Sequence, residues 1–524
     1  MIAMRLLKNI LSLFLLCQIA FFPLNTALAN AKKVNISDLN YSDLIISIYR
    51  HYPDKSFWSK APLRDEFEKQ ISILFFADIS DDLNDRYQAL TKASERKDWK
   101  NYELLASDLL LFYLSYNEQL IDKGKSWLLG DNIANKLRPP SDKSVGAFFN
   151  AYSDHARLLY LQRLSPISDQ KMPLYSNLLV LNEAADKNIE RQRVTESVKI
   201  GDTLQEKGIL LSRLQVAGEL STKLKELIES ENHQEYSAQL GKIVKSFQMR
   251  HGLKPDGIIG NKTRYWLNIS RQERIRLMAL NILREALWSA DQDNKIVVNI
   301  PGYQMSYWET EKMVFESNII VGQVKRKTPI FTAKLDSIVF NPTWNVPTSI
   351  MREDILPKAL VNSDYLKRHR YEILQGWHSN KVIEVNAIDW SSVTVNNFPY
   401  RLRQKSGRDN ALGFYKFNTP NKNAIYLHDT PAKYLFEREN RAFSSGCIRV
   451  QKAKQFTLLL MDRSGYTFQD YKNYRNSDTN SVLPLKKNIR VYTVYQTVWV
   501  DQSGLTQFRN DIYDYDKPRK RKIS

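Results

Sequence analysis

Leu104, Leu105, Asp108, Leu109, Phe112 and Tyr113 recur at i, i+3 and i+4, the spacing that gathers side chains on one face of an α-helix. This texture, poor in glycine, runs from about Asn35 to Arg193 and predicts a helical region with Trp58 and Tyr116 in its core. Near Lys199 the pattern shortens. Val244, Phe247 and Gln248 lead into His251-Gly252-Leu253, Pro255-Asp256-Gly257-Ile258-Ile259-Gly260, Thr263 and Trp266-Leu267-Asn268. Gly252 suits a helix end at positive φ and Pro-Asp-Gly marks a turn, so the stretch reads helix, tight turn, helix, with His251 bonding at the helix end. One more helix carries Asn281, Arg284 and Trp288. The period then falls to two. Lys295–Ile300, Ile319–Gly322 and Ser337–Asn341 read as strands, and strands resume near Val491–Thr493 and Thr497–Val500. Between them, from Thr348 to about Arg408, Leu356-Pro357, Tyr365-Leu366 and Ile388-Asp389-Trp390 suggest a more helical insertion placed to act as a lid.

The implied fold class is α+β and multidomain. The expected layout is a leader 1–29, a helical scaffold 30–198 to which a helix in 270–290 returns, a small three-helix domain 199–269, a mainly β domain 291–516 with an insertion at about 348–408, and a basic tail 517–524. With 524 residues, 43% hydrophobic and 25% charged, the chain can bury several cores.

The leader pairs Arg5 and Lys8 with an apolar run from Ile10 to Phe22 and a small-x-small site at Ala27-Leu28-Ala29, the plan of an export signal. That run falls short of the roughly 20 residues a membrane span needs. Cleavage after Ala29 is the first reading, and retention as an uncleaved anchor the second. The formal charge of +19 becomes +17 once Arg5 and Lys8 are lost. An exported basic chain meets anionic polymer or lipid headgroups, and export removes nucleic acid as a partner.

Cys17 lies in the leader, so Cys447 is the lone thiol of the mature chain, in Ser444-Ser445-Gly446-Cys447-Ile448-Arg449. Thiolate is the reactive form, and a thiol titrating near about 8.5 needs a base or cation beside it. His428, in Tyr426-Leu427-His428-Asp429-Thr430, can serve, if a strand ending there and a turn carrying Cys447 meet in space. Gly446 lets the backbone turn sharply, and the Gly446 and Cys447 amides are candidates for an oxyanion hole. Tyr426 reads as a strand core residue. Arg449 either pins the turn or meets a substrate carboxylate, and the Ser444 and Ser445 hydroxyls bond turn backbone or substrate. Trp344 and Trp377 either line a groove or pack. No histidine shows metal-ligand spacing with a second one, and there is no Cys-x-x-Cys, so no metal or organic cofactor is expected.

His-x-Thr-Pro followed by Ser-x-Gly-Cys-Ile-Arg-Val resembles the active-site signature of the L,D-transpeptidases, whose catalytic domain is the YkuD type. The segment from about Lys199 to Ile269 likewise resembles the small peptidoglycan-binding domain of wall enzymes. Ser445 stands where many members have His, and Asp429 where shorter members have Gly; both look like features of a large multidomain branch. The resemblance implies Cys447 as nucleophile, His428 as general base and an oxyanion hole at the Gly446 and Cys447 backbone, with Tyr426 either helping that hole or filling a strand core. It implies release of D-Ala from a tetrapeptide donor stem and a 3→3 link between diaminopimelates. It further implies peptidoglycan as donor and acceptor and inhibition by carbapenems, while the leader points to a periplasmic location and the basic charge to the inner-membrane surface as a further contact. Water as acceptor would make the chain an L,D-carboxypeptidase, and another amine an anchoring enzyme for a lipoprotein or a D-amino acid. A scaffold that binds wall without catalysis is the rival from another class.

Overall fold

The computed structural model describes residues 34–518 apart from 132, 135, 184–188, 231–233, 289–293, 377–378 and 478. The leader, most of the basic tail and Trp377 lie outside the described residues.

The helical texture of the first third folds around one 30-residue helix, Trp99–Leu128, whose Leu105, Leu109, Phe112 and Tyr116 are buried. Its Asp108, fully buried, accepts from the Tyr41 N–H at 2.9 Å and pairs with Arg86 at 2.7 Å, so the charge has the partners that burial demands. Helix Arg271–Glu285 packs against Ala61–Phe76 and Met172–Glu183. Between residues 199 and 269 stand four helices, Lys207–Val216, Thr222–Ser230, Ala238–Arg250 and Asn261–Leu267. The three expected there are thus joined by the first. Gly252 (φ 65°) follows the helix-ending His251, and Gly257 (φ 77°) makes the turn. The fully buried His251 ring donates from Nδ1 to the Phe247 carbonyl at 2.7 Å, and its Nε2 accepts from Arg274 at 3.0 Å.

The strands, in chain order, are β1 Asn294–Asn299, β2 Gln304–Glu309, β3 Lys312–Gly322, β4 Thr332–Phe340, β5 Trp344–Asn345, β6 Tyr371–Gly376, β7 Ser379–Ile383, β8 Arg401–Gln404, β9 Tyr415–Asn418, β10 Leu427–His428, β11 Ala442–Ser444, β12 Ile448–Val450, β13 Ser481–Val494, β14 Val498–Val500 and β15 Thr506–Phe508. Nine form one sheet in the order β11-β3-β12-β10-β9-β4-β13-β1-β2, and β2 also pairs with β3, which closes the sheet on itself. Closure removes exposed strand edges. Alternate residues point inward: Ile296 and Val298, Ile319 and Val321, Leu427, Ile448 and Val450. Helix Ala453–Arg463 presents Phe456, Leu460 and Met461 to the same core, Phe456 stacking on Phe315 and tilted against Phe417.

The insertion departs from the helical expectation. Its first half is helical, through Leu356–Val361 and Asp364–Arg368, but its second half supplies β6, β7 and β8, which join the preceding β5 in a separate sheet in the order β5-β8-β6-β7. Ile373 and Leu402 face a small core of their own with Met351, Leu356 and Leu366. Ile388-Asp389-Trp390 follows a short 3₁₀ turn and is not helical.

Candidate active site

The site follows from register. β10 and β12 run parallel with Leu427 beside Ile448 and His428 beside Arg449, and the Ile448 N–H donates to the Tyr426 carbonyl at 3.1 Å. Leu427 and Ile448 both point into the barrel core. Because successive side chains alternate faces, Tyr426, His428, Cys447 and Arg449 share the opposite face. On the other side β9 places Lys416 beside His428, with Phe417 turned to the core, so Lys416 joins that face too. His428 and Cys447 are diagonal neighbours across the strand pair, a relation that sets Cβ atoms about 7 Å apart and keeps aromatic side chains in reach.

Tyr426 is the hub. Its ring meets the His428 ring edge-on at 5.7 Å and carries the Lys416 ammonium 4.4 Å over its face. Its hydroxyl, held well above the usual range by burial, also feels Cys447 and the Trp344 side chain at the start of β5. Tyr426 is half-buried, stands outside the barrel core and lies on the face that carries His428 and Cys447.

The cysteine turn is held from below. Gly446 adopts φ 114°, a region open to glycine, and a Cβ there would lie 3.2 Å from Ile425. The Gly446 carbonyl accepts from the buried Thr328 hydroxyl at 2.8 Å, and Ser444 Oγ donates to the Cys447 carbonyl at 2.5 Å. The Gly446 N–H donates to Ser444 Oγ at 3.1 Å. That amide is therefore engaged within the turn and is not the oxyanion donor expected of it. Ser445 Oγ accepts from Arg326 at 2.7 Å, and Arg326 also pairs with Glu353 and, at 2.6 Å, with Asp354 of the insertion.

His428 is buried, and its Nδ1 lies 2.5 Å from the Asp429 carbonyl, an atom that only accepts. The proton sits on Nδ1, which leaves Nε2 as the basic nitrogen. Asp429 is fixed in turn: its carboxylate accepts from the Phe414 N–H at 3.0 Å and pairs with Lys433. Burial pushes the His428 pKa down to about 3, with the Arg449, Lys416 and Lys433 cations acting in the same direction against the Asp429 carbonyl. Burial also pushes the Cys447 thiol up, against the opposing pull of Tyr426, Lys416 and Arg449. Both shifts favour the neutral thiol and the neutral imidazole. Arg449 Nε is buried without a partner among the described residues. Among those residues no group of three or more His, Cys, Asp or Glu side chains is placed to hold a metal.

Sequence reasoning missed Lys416 and Arg326. Tyr415-Lys416-Phe417 alternates like a strand, but only the pairing with β10 reveals what the lysine faces.

Residues 293–464 match the family described as L,D-transpeptidase catalytic domain (YkuD), and residues 218–267 match that described as "Putative peptidoglycan binding domain". A Haemophilus influenzae protein named "Putative L,D-transpeptidase" is 41% identical over 227 residues, which are 43% of this chain and 45% of that protein. The chain thus spans less than half the length of that curated relative. Among solved structures, an L,D-transpeptidase from Stackebrandtia nassauensis aligns at 13% identity with a TM-score of 0.21, covering 58% of this chain and 96% of that one. One from Xylanimonas cellulosilytica aligns at 12% identity with a TM-score of 0.17, covering 58% and 100%.

Proposed function

We propose that this chain, which carries a YkuD-type L,D-transpeptidase catalytic domain and a peptidoglycan-binding domain, forms 3→3 cross-links between diaminopimelates through a thioester on Cys447. The observation that carries the reading is the β10–β12 register, which turns His428 and Cys447 to one face while Leu427 and Ile448 anchor the other.

Cys447 Sγ attacks the carbonyl carbon of the third stem residue as His428 Nε2 takes the thiol proton. The tetrahedral oxyanion falls to the Cys447 N–H and the Tyr426 hydroxyl. Collapse breaks the C–N bond, and His428 returns its proton to the leaving D-Ala amine. The side-chain amine of a second diaminopimelate then attacks the thioester; the C–S bond breaks and the thiol is restored. A base depressed to about 3 is weak in the empty site. Negative charge developing on the oxyanion, and a substrate carboxylate on Arg449 and Lys416, offset the cations that depress it and raise its basicity when it is needed. The insertion, tied through Glu353 and Asp354 to Arg326 and so to Ser445 of the cysteine turn, shields the thioester from water while the acceptor amine is positioned.

The acceptor is read by mass spectrometry of muropeptides after incubating purified tetrapeptide-bearing wall with the enzyme. Dimers joined through two diaminopimelates are expected; tripeptides alone would make it an L,D-carboxypeptidase. A carbapenem, whose strained acyl group suits the same thiolate, should leave a mass adduct on Cys447. Export by the leader places this chemistry in the periplasm, and the net positive charge suits the anionic wall and the inner-membrane surface.

A further inference from the structure

A cavity of about 1230 Å³ includes neither Cys447 nor His428 in its walls. It opens where three parts meet: the scaffold helix Met172–Glu183, the wall-binding helices, and the hairpin β14–β15 that follows β13. Arg191, Arg213, Arg250 and Arg274 line it against one lining carboxylate, Glu190. Arg250 pairs with Glu219 at 2.9 Å, and Arg213 donates to the carbonyls of Ile189 and Glu190. Arg274 is 2% exposed; it bonds His251 and the Trp266 carbonyl, yet its Nε has no partner among the described residues. Burial and the neighbouring Arg250 hold Arg274 down to about 9, and burial with Arg191 lowers Arg213, so each guanidinium sits in the unfavourable field of others. An anion relieves that field. Leu181, Val216, Met278 and Phe508 supply apolar wall between the charges.

We propose that this junction cavity is a second peptidoglycan site that takes the carboxylate-bearing peptide of a stem, distinct from the catalytic cleft. A stem offers carboxylates spaced by alanine methyls, which matches arginines spaced by apolar side chains. A bilayer is a flat surface and presents nothing to fill a recess between three walls. The inference rests on the wall-directed reading above and adds to it a place where a strand of wall engages scaffold, binding helices and catalytic domain together. Such a site raises the local concentration of stems near the catalytic cleft.

The test uses the full-length Cys447→Ala chain and a soluble disaccharide tetrapeptide, with binding followed by calorimetry. Arg191 is exposed, and Val180, on the cavity rim, is 71% exposed, so both positions accept change without disturbing a core. Arg191→Glu and Val180→Trp are each expected to weaken binding about tenfold or more, and amidation of the peptide carboxylates should do the same to the parent. In the Cys447 background both variants should still acylate at the parent rate with saturating donor. Unchanged affinity in both variants, or equal binding of the amidated peptide, would overturn the cavity assignment and leave the active-site reading intact. Binding of anionic phospholipid vesicles, lost in Arg191→Glu while the peptide is ignored, would also overturn it. Peptide binding that responds to both substitutions, in a parent that never acylates Cys447, would support the cavity and remove the enzymatic reading instead.

Discussion

Burial favours the neutral forms of Cys447 and His428, and that sets how the thiol behaves. With the thiol held above its usual range and the imidazole near 3, no ion pair supplies thiolate at neutral pH. The rate of Cys447 alkylation by iodoacetamide should climb steadily above pH 8 with no plateau between pH 4 and 8, whereas a thiolate–imidazolium pair would show that plateau. His428→Gln should lower kcat/KM for donor acylation by about 10²–10⁴-fold, the span typical of a general base, as single-turnover kinetics would show. Both residues were legible in the chain because a lone cysteine and a histidine stand in short, ordered motifs. The roles of Tyr426 and Gly446 were not legible. Whether a tyrosine faces a core or a thiol, and whether an amide is spent inside its own turn, depends on neighbours that only folding supplies.

The cysteine turn rests on the segment after β3. The Tyr513 hydroxyl donates to the Gly322 carbonyl at 2.6 Å and accepts from the Thr328 N–H at 3.0 Å, and Thr328 in turn holds Gly446. Tyr513→Phe leaves those two buried groups unpaired and should cost about 1–3 kcal/mol in urea unfolding, with a slower acylation rate. An unchanged rate would show that the turn keeps its shape without this support. At this scale the strands around Lys295, Ile319 and Ser337 were legible from alternation, since one face of each is core and the other is not. The sheet β5-β8-β6-β7 was not, because its strands come from separated stretches with mixed polarity and pair only with one another. Helix Ala453–Arg463 was passed over although Ala453, Phe456, Thr457, Leu460 and Met461 keep helical spacing. Its signal was local and available.

The parts of the molecule are tied by buried polar side chains. Arg284, 2% exposed, donates to the carbonyls of Leu128 at 2.8 Å and Tyr515 at 2.8 Å and pairs with Asp516 at 2.6 Å, joining helices Arg271–Glu285 and Trp99–Leu128 to the segment after β15. Arg284→Leu strands a buried carboxylate and should cost about 3–5 kcal/mol, seen as a lower thermal midpoint. Acid should weaken the whole assembly. His428 and His251 are both depressed in the fold, so the unfolded chain binds more protons once pH falls below about 6.5, and stability drops as pH falls toward the folded values, by up to about 1.4 kcal/mol per pH unit for each histidine. Thermal melts from pH 7 to pH 5 read this directly, and His428→Gln should remove part of the slope. The central claim, that folding gives Cys447 a base on its own face and makes it the acyl carrier, is tested by intact mass of the full chain after mixing with tetrapeptide donor and no acceptor. The expected result is one adduct on Cys447 equal to the donor less its terminal D-Ala, much reduced in His428→Gln. D-Ala release at the parent rate by folded Cys447→Ala would contradict it.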